Sequence, residues 1–174
     1  MTRVRRAEPA ETDVVRGVLT AALLDPPPSL GDAVAAGQVH VAVAGGDPDD
    51  THGTDSTGRV VGCLVRLPPA ETPDAERVAT TVETLAPSRR PFDPDTWRDR
   101  TTATHVDSVA VARGRRGDGV GTALVAAAAD AVDASPLTVA FRPAVRPFYE
   151  SLGFTVVSPS DGDRLVGWRS APDG

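Results

Sequence analysis

The stretch VDSVAVARGRRGDGVGTALVAAAADAV, residues 106–132, constrains this chain more than any other. A β-branched run enters three glycines and leaves at once into an Ala-rich, apolar-faced pattern, so the spacing predicts a strand, a tight turn and a helix in direct succession. Gly117, Gly119 and Gly121 allow positive φ angles and close approach of a ligand, and the first amides of a helix have no partner within it. Arg113, Arg115 and Arg116 ring the turn with positive charge. Together these features predict an anion site of the size and charge that suit a pyrophosphate. Two other phosphate loops are excluded. The P-loop needs a lysine after its second glycine, and this chain has no lysine; the dinucleotide fingerprint needs Gly-x-Gly-x-x-Gly, whereas the spacing here is Gly-x-Gly-x-Gly.

The remaining composition sets the frame around that turn. At 174 residues the chain is long enough for one sizeable core and short for two, so a single domain over 1–174 is expected. Hydrophobic residues are 40% and charged residues 24%, the usage of ordinary soluble proteins. No apolar run reaches a spanning length and the first residues lack a signal-peptide core, which predicts a cytoplasmic protein without a membrane partner. All 18 basic residues are Arg, and a net charge of -6 argues against general nucleic-acid binding. The Arg-only, Asp-rich usage suits a GC-rich and salt-adapted host. Cys63 is the only cysteine and no Cys/His cluster has zinc spacing, so neither a disulfide nor a metal site is expected.

Along the chain the pattern predicts a strand at 2–6 and a helix over 10–24, with Thr12 as its N-cap, Val14, Val15, Val18, Leu19 and Ala22 at helical spacing, and Pro26-Pro27-Pro28 ending it. A weaker helix follows at 30–36. Strands at 39–44 and 59–67 read as a hairpin with a long polar tip. Residues 68–103 form a long inserted segment with one helix near 75–85 and an exposed-looking PSRRPFDPDTW stretch. Strand 104–112, helix 119–133 and strand 137–141 follow, then a short helix ending at Leu152-Gly153 and strands at 154–157 and 164–168. This order indicates an α/β protein with a sheet of mixed direction and helices on both faces.

Arg116-Gly117-Asp118-Gly119-Val120-Gly121 resembles the Arg/Gln-x-x-Gly-x-Gly/Ala signature of the GNAT superfamily, and Val109-Ala110-Val111 stands where that family's cofactor strand lies. Phe148-Tyr149-Glu150-Ser151-Leu152-Gly153-Phe154 is similar to its second motif, and the opening VRRAEPAETDVVRGVL to its first strand and helix. The resemblance implies a GNAT-like, mostly antiparallel central sheet of six to seven strands, with splayed fourth and fifth strands between which the pantetheine arm of acetyl-CoA lies. It also implies that Val109, Ala110 and Val111 line that arm, Val109 and Val111 bonding it by backbone, and that Arg116, Gly117, Asp118, Gly119, Val120, Gly121 and Thr122 bind the pyrophosphate. Two positions depart from the family pattern, Arg142 and Val145; Arg142 or Arg146 is a substitute phosphate contact or a solvated arginine.

The implied chemistry is N-acetylation of a small-molecule or protein amine by direct transfer, which needs a proton donor for the departing thiolate and an acceptor for the amine proton. Tyr149, the only tyrosine, stands where the family places the donor hydroxyl. His105 and Asp107 lie two apart on a predicted strand and so share a face, which makes them the candidate bases; a water relay is the alternative. The Val111 amide is the family's donor to the thioester carbonyl. His40 and His52 have no partner at catalytic spacing, and Phe92 and Trp97 either wall the acceptor site or cover a sheet edge or subunit contact. A non-catalytic acyl-CoA-binding or regulatory module and a binder of another nucleotide phosphate are the competing readings. Related folds pair as homodimers.

Overall fold

The computed structural model describes residues 2–45, 58–132, 136–159 and 162–170. Seven strands are hydrogen-bonded in the order β1 (Thr2–Arg6), β2 (Val39–Ala44), β3 (Arg59–Leu67), β4 (His105–Val111), β5 (Leu137–Phe141), β7 (Leu165–Arg169), β6 (Thr155–Val157), with helices on both faces. The chain divides into two compact units, Met1–Val65 with Ser108–Ala128, and Arg66–Asp107 with Ala129–Gly174. Strand β4, His105–Val111, contributes its first three residues to the second unit and the rest to the first.

In the first unit β1 (Thr2–Arg6) pairs antiparallel with β2 (Val39–Ala44), which pairs antiparallel with β3 (Arg59–Leu67) across a bulge between Ala42 and Val43. The Val-rich β2 is buried along almost its whole length, as expected of an interior strand. The tip between β2 and β3, with His52, lies outside the described residues. His40 is buried in β2. Helix α1, Thr12–Ala21, is preceded by one 3-10 turn, Pro9–Glu11. Thr12 is therefore the first helical residue rather than its cap, and its hydroxyl donates to the Pro9 carbonyl at 2.8 Å. The entry is stabilised upstream, where the Glu8 amide donates to the Glu11 carboxylate at 2.8 Å.

The end of α1 also differs from the sequence expectation. The helix stops at Ala21, well before the prolines, because the Leu24 amide bonds Leu19 O at 3.1 Å and the Leu23 amide bonds Thr20 O at 3.0 Å. This Schellman closure places Leu23 at φ 60. Helix α2, Leu30–Ala35, follows. In the sheet, Gly62 admits helix α5 (Val120–Asp130): a Cβ there would lie 3.0 Å from Val120 Cγ1, 3.2 Å from Leu124 Cδ1 and 3.0 Å from Ala110 O.

In the second unit β4 pairs parallel with β5 (Leu137–Phe141) at only two positions, His105 with Thr138 and Val106 with Val139. Strand β7, Leu165–Arg169, lies antiparallel between β5 and β6, Thr155–Val157. Helices α3 (Ala75–Glu83) and α4 (Pro94–Arg98) bring Val78, Val82 and Trp97 against Val166 and Trp168. Most of the stretch before Trp97 is exposed, as expected, but Trp97 itself is 1% accessible and stacks on Phe92 with ring centroids 5.5 Å apart. Asp93 caps α4 by accepting from the Thr96 amide at 2.8 Å. Among the described residues no helix is long and apolar enough to cross a membrane.

Candidate active site

The glycine turn lies in the first unit. After Val111 the chain makes one 3-10 turn, Arg113–Arg115, and Arg116 is extended. Gly117 then takes φ 90 and Gly119 φ 77, and α5 begins at Val120. A Cβ at either glycine would meet nothing within 4 Å, so backbone angle rather than crowding demands glycine here. Among the described residues the amides of Gly117, Gly119, Val120, Gly121 and Thr122 make no backbone hydrogen bond, whereas the Ala123 amide already closes onto Gly119 O at 3.0 Å. Residues 113–119 are all exposed. The turn is therefore a nest of outward N-H groups at the positive end of an 11-residue helix, a concave donor set for an anion.

Side chains reinforce that polarity. Arg116 Nε donates to the Val111 carbonyl at 3.3 Å, and Arg115 lies 3.9 Å from Asp118. Arg113 has no ion pair among the described residues. Val109 and Val111 alternate with buried Ala110 and point to the half-open face of β4, as does Asp107, whereas His105 has the same parity but is buried. Arg142 is exposed, and Arg146 is engaged by Glu150 at 2.7 Å.

Beside the turn, still within the first unit, is a cavity of about 730 Å³. One wall is helix α1, through Val14, Gly17, Val18, Ala21 and Ala22. These positions recur at i, i+3, i+4, i+7 and i+8, one continuous helical face. It is not the face that α1 buries, for Val15 and Leu19 are inaccessible while Val14 is 48% exposed. The opposite side is formed by Val60, Val111 and Ala112, and Arg59, Arg113 and Arg116 complete it. Glu11 also lines the cavity, but its carboxylate is held by Arg5 at 2.7 and 2.8 Å. That hydrogen-bonded partner keeps Glu11 below the usual carboxylate range. Gly17 is the anomaly in this wall, because a mid-helix glycine costs about 1 kcal/mol against alanine and a Cβ there would touch nothing within 4 Å. The sequence reading assigned Val14 and Val18 to the core stripe and missed Gly17 and Arg59; a glycine inside a helical pattern was the available signal.

The acid and base candidates lie in the second unit. His105 is 1% accessible, with Nδ1 3.0 Å from Thr138 Oγ1 and its ring edge-on to Trp97 at 6.3 Å. Burial first, and the Arg164 charge second, push its pKa down to about 3, so the imidazole is neutral and weakly basic. Asp107, on the same face, is half-buried. Tyr149 sits on α6, Arg146–Ser151, stacked on Phe141 at 4.3 Å and edge-on to Phe154 at 5.3 Å. Burial raises its pKa, so the phenol holds its proton at neutral pH. Its hydroxyl makes no hydrogen bond among the described residues. The helix then closes on Gly153 at φ 80, with the Phe154 amide bonding Tyr149 O at 3.1 Å, which gives the Leu-Gly-Phe part of the motif a purely structural reason. Phe92 and Trp97 pack into the second unit's core rather than standing clear as a site wall.

A mixed seven-stranded sheet with a donor nest where a strand meets a helix defines an α/β protein built to hold an anion at that turn. More particularly, residues 96–165 match the family model of the acetyltransferase (GNAT) domain. That stretch is under half of the chain and holds β4, the glycine turn, α5, β5 and α6. A GNAT-family acetyltransferase of Listeria monocytogenes is similar in structure with a TM-score of 0.64 at 11% identity, over 97% of this chain and 94% of that one. The Arabidopsis thaliana protein NAA60, solved with acetyl-CoA, gives a TM-score of 0.63 at 11% identity over 98% and 99%. A Corynebacterium glutamicum protein described as histone acetyltransferase HPA2 and related acetyltransferase gives 0.55 at 21% identity over 99% and 98%. These likenesses establish the fold. No curated protein sequence matches the chain.

Proposed function

We propose that the protein is an N-acetyltransferase that moves the acetyl group of acetyl-CoA directly to an amine of a small-molecule or protein acceptor, in the cytoplasm. The observation that carries this reading is the set of free amides from Gly117 to Thr122 on an exposed, Arg-flanked turn, inside a matched acetyltransferase domain. In this reading those amides and Arg116 hold the pyrophosphate, and the backbone of Val109 to Val111 pairs with the pantetheine arm. Charge complementarity supports it, since the turn offers several free amides and flanking guanidiniums to a di-anion in an acidic chain of net charge -6.

The amine nitrogen attacks the thioester carbonyl, forming C-N as C-S breaks, so one proton must leave nitrogen and one must reach sulfur. Tyr149, protonated at neutral pH, is the donor to sulfur. Asp107 takes the amine proton directly or through water, and His105, neutral and enclosed, stands at the same parity on the strand. The enclosure of His105 also favours a second reading, a non-catalytic acyl-CoA-binding module, because a mere binder needs no exposed base.

Calorimetric titration of acetyl-CoA into wild type and into Gly119→Glu with Gly121→Glu, both checked for folding by circular dichroism, tests the site. Binding lost in a folded variant supports the turn as the co-substrate site, and no binding by wild type removes the reading. Release of free thiol with an amine panel separates enzyme from binder.

A further inference from the structure

The cavity beside α1 has features that neither core packing nor the glycine turn requires. Helix α1 already buries Val15 and Leu19, so its second apolar face, Val14, Gly17, Val18, Ala21 and Ala22, serves no core. That face runs roughly 12 Å along the helix, eight residues at 1.5 Å each. Gly17 weakens the helix, no neighbouring group crowds it, and any side chain there would enter the cavity. A residue that breaks a local rule at a cavity wall marks a space kept open for something.

The charges say what kind of molecule. Arg59, Arg113 and Arg116 line the same cavity, and none of them has an ion pair among the described residues. The one acidic lining residue, Glu11, is already neutralised by Arg5. In a chain with 24 acidic and 18 basic side chains, guanidiniums that have no ion pair among the described residues and stand over an apolar wall select an anion with a hydrophobic body. The volume of about 730 Å³ is within the range of small-molecule pockets. We propose that this cavity binds a small amphiphilic monoanion, such as a carboxylate or sulfonate on an aliphatic or aromatic body, with the body along α1 and the anionic group between Arg59 and Arg113. The site is separate from the amides of the glycine turn and does not depend on the acetyl-transfer reading.

The probe is 8-anilinonaphthalene-1-sulfonate, compared with its uncharged counterpart N-phenyl-1-naphthylamine, titrated by fluorescence into the full chain. The sulfonate binds one per chain and at least tenfold more tightly than the neutral amine. Gly17→Leu fills the cavity and raises the sulfonate Kd at least tenfold, while its Tm stays level or rises because leucine favours helix. Arg59→Gln with Arg113→Gln removes the preference for the sulfonate over the neutral probe. Octanoate displaces the bound sulfonate. An unchanged Kd in folded Gly17→Leu, equal affinity of wild type for the two probes, or complete displacement of the sulfonate by one equivalent of acetyl-CoA would each overturn the proposal.

Discussion

Lowering the pH should destabilise the second unit through a single side chain, His105. The ring is 1% accessible and its pKa is pushed to about 3 by burial, with the Arg164 charge adding to the effect. An unfolded chain protonates histidine near pH 6.5. Between those values the unfolded state binds a proton that the folded state refuses, so stability is complete above about pH 6.5 and is lost progressively as pH falls toward 3. The limiting slope is about 1.4 kcal/mol per pH unit. From the two pKa values the linkage relation gives a loss of about 1 kcal/mol at pH 5.5 and about 3 kcal/mol at pH 4.5. Against the roughly 5–15 kcal/mol of a typical domain, this is a large fraction.

Carboxylates titrate in the same range, so the assay must subtract them. Urea unfolding of wild type and His105→Gln, followed by circular dichroism at pH 7.5, 6.5, 5.5 and 4.5, does so, because the glutamine amide carries no titrating proton while every carboxylate is common to both proteins. The wild type should lose stability relative to the variant by roughly 1–3 kcal/mol across that series. Parallel curves, with a constant difference from pH 7.5 to 4.5, would refute the reasoning. They would mean that the folded protein protonates His105 near its ordinary value, and a readily protonated imidazole would return as the leading base.

Four further outcomes are expected. Leu23→Gly should stabilise the protein by about 1 kcal/mol in urea unfolding, because Leu23 is held at φ 60 and its 89%-exposed side chain contributes little packing; loss of stability would assign that side chain a contact. Glu11→Gln should cost about 1 kcal/mol at pH 7, since the Arg5 pair is only 26% and 15% accessible on its two sides. Glu11 has a depressed pKa, so that benefit is present above the usual carboxylate range and disappears as pH falls through the folded value, below which the two proteins should converge. Trp97→Ala should cost about 3–5 kcal/mol, read as a fall in urea midpoint, because it empties the centre of the second unit's core. Tyr149→Phe should lower turnover by about 10²–10⁴ with little change in acetyl-CoA Kd, and equal turnover would remove Tyr149 as proton donor.

Most of the fold was legible because its elements announce themselves by period. Val39–Ala44 and Arg59–Leu67 are strands where the β-branched runs stand, and Val120–Asp130 is a helix where glycine gives way to alanine. The misses have local physical causes. Thr12 has the right chemistry for a cap, but Pro9, with its fixed φ and missing N-H, starts the turn three residues earlier. The prolines after Asp25 do not end α1, since Leu23 has already accepted a left-handed angle that sequence rules assign to glycine. Gly153 holds the same position at the end of α6, where the rule is obeyed. Trp97 looked exposed because its neighbours Asp93, Asp95 and Arg98 are charged. Capping of α4 by Asp93, and the ion pairs of Arg98 with Glu76 and Glu83 on α3, orient those charges outward and turn the indole in.

The site was legible only where backbone conformation demands a residue type. Gly117 and Gly119 must be glycine for their angles, so the donor nest could be read from letters alone. The wall of the neighbouring cavity could not, because lining a core and lining a pocket ask for the same valines and alanines at the same helical spacing. Val14, Val15, Val18 and Leu19 form one stripe in the sequence, yet Val15 and Leu19 are inaccessible while Val14 is 48% exposed. What separates the two faces is Gly17, which a core-facing helix would replace with alanine to gain about 1 kcal/mol. A glycine that neither turns the chain nor admits a close neighbour is therefore better evidence for a cavity than the apolar residues around it.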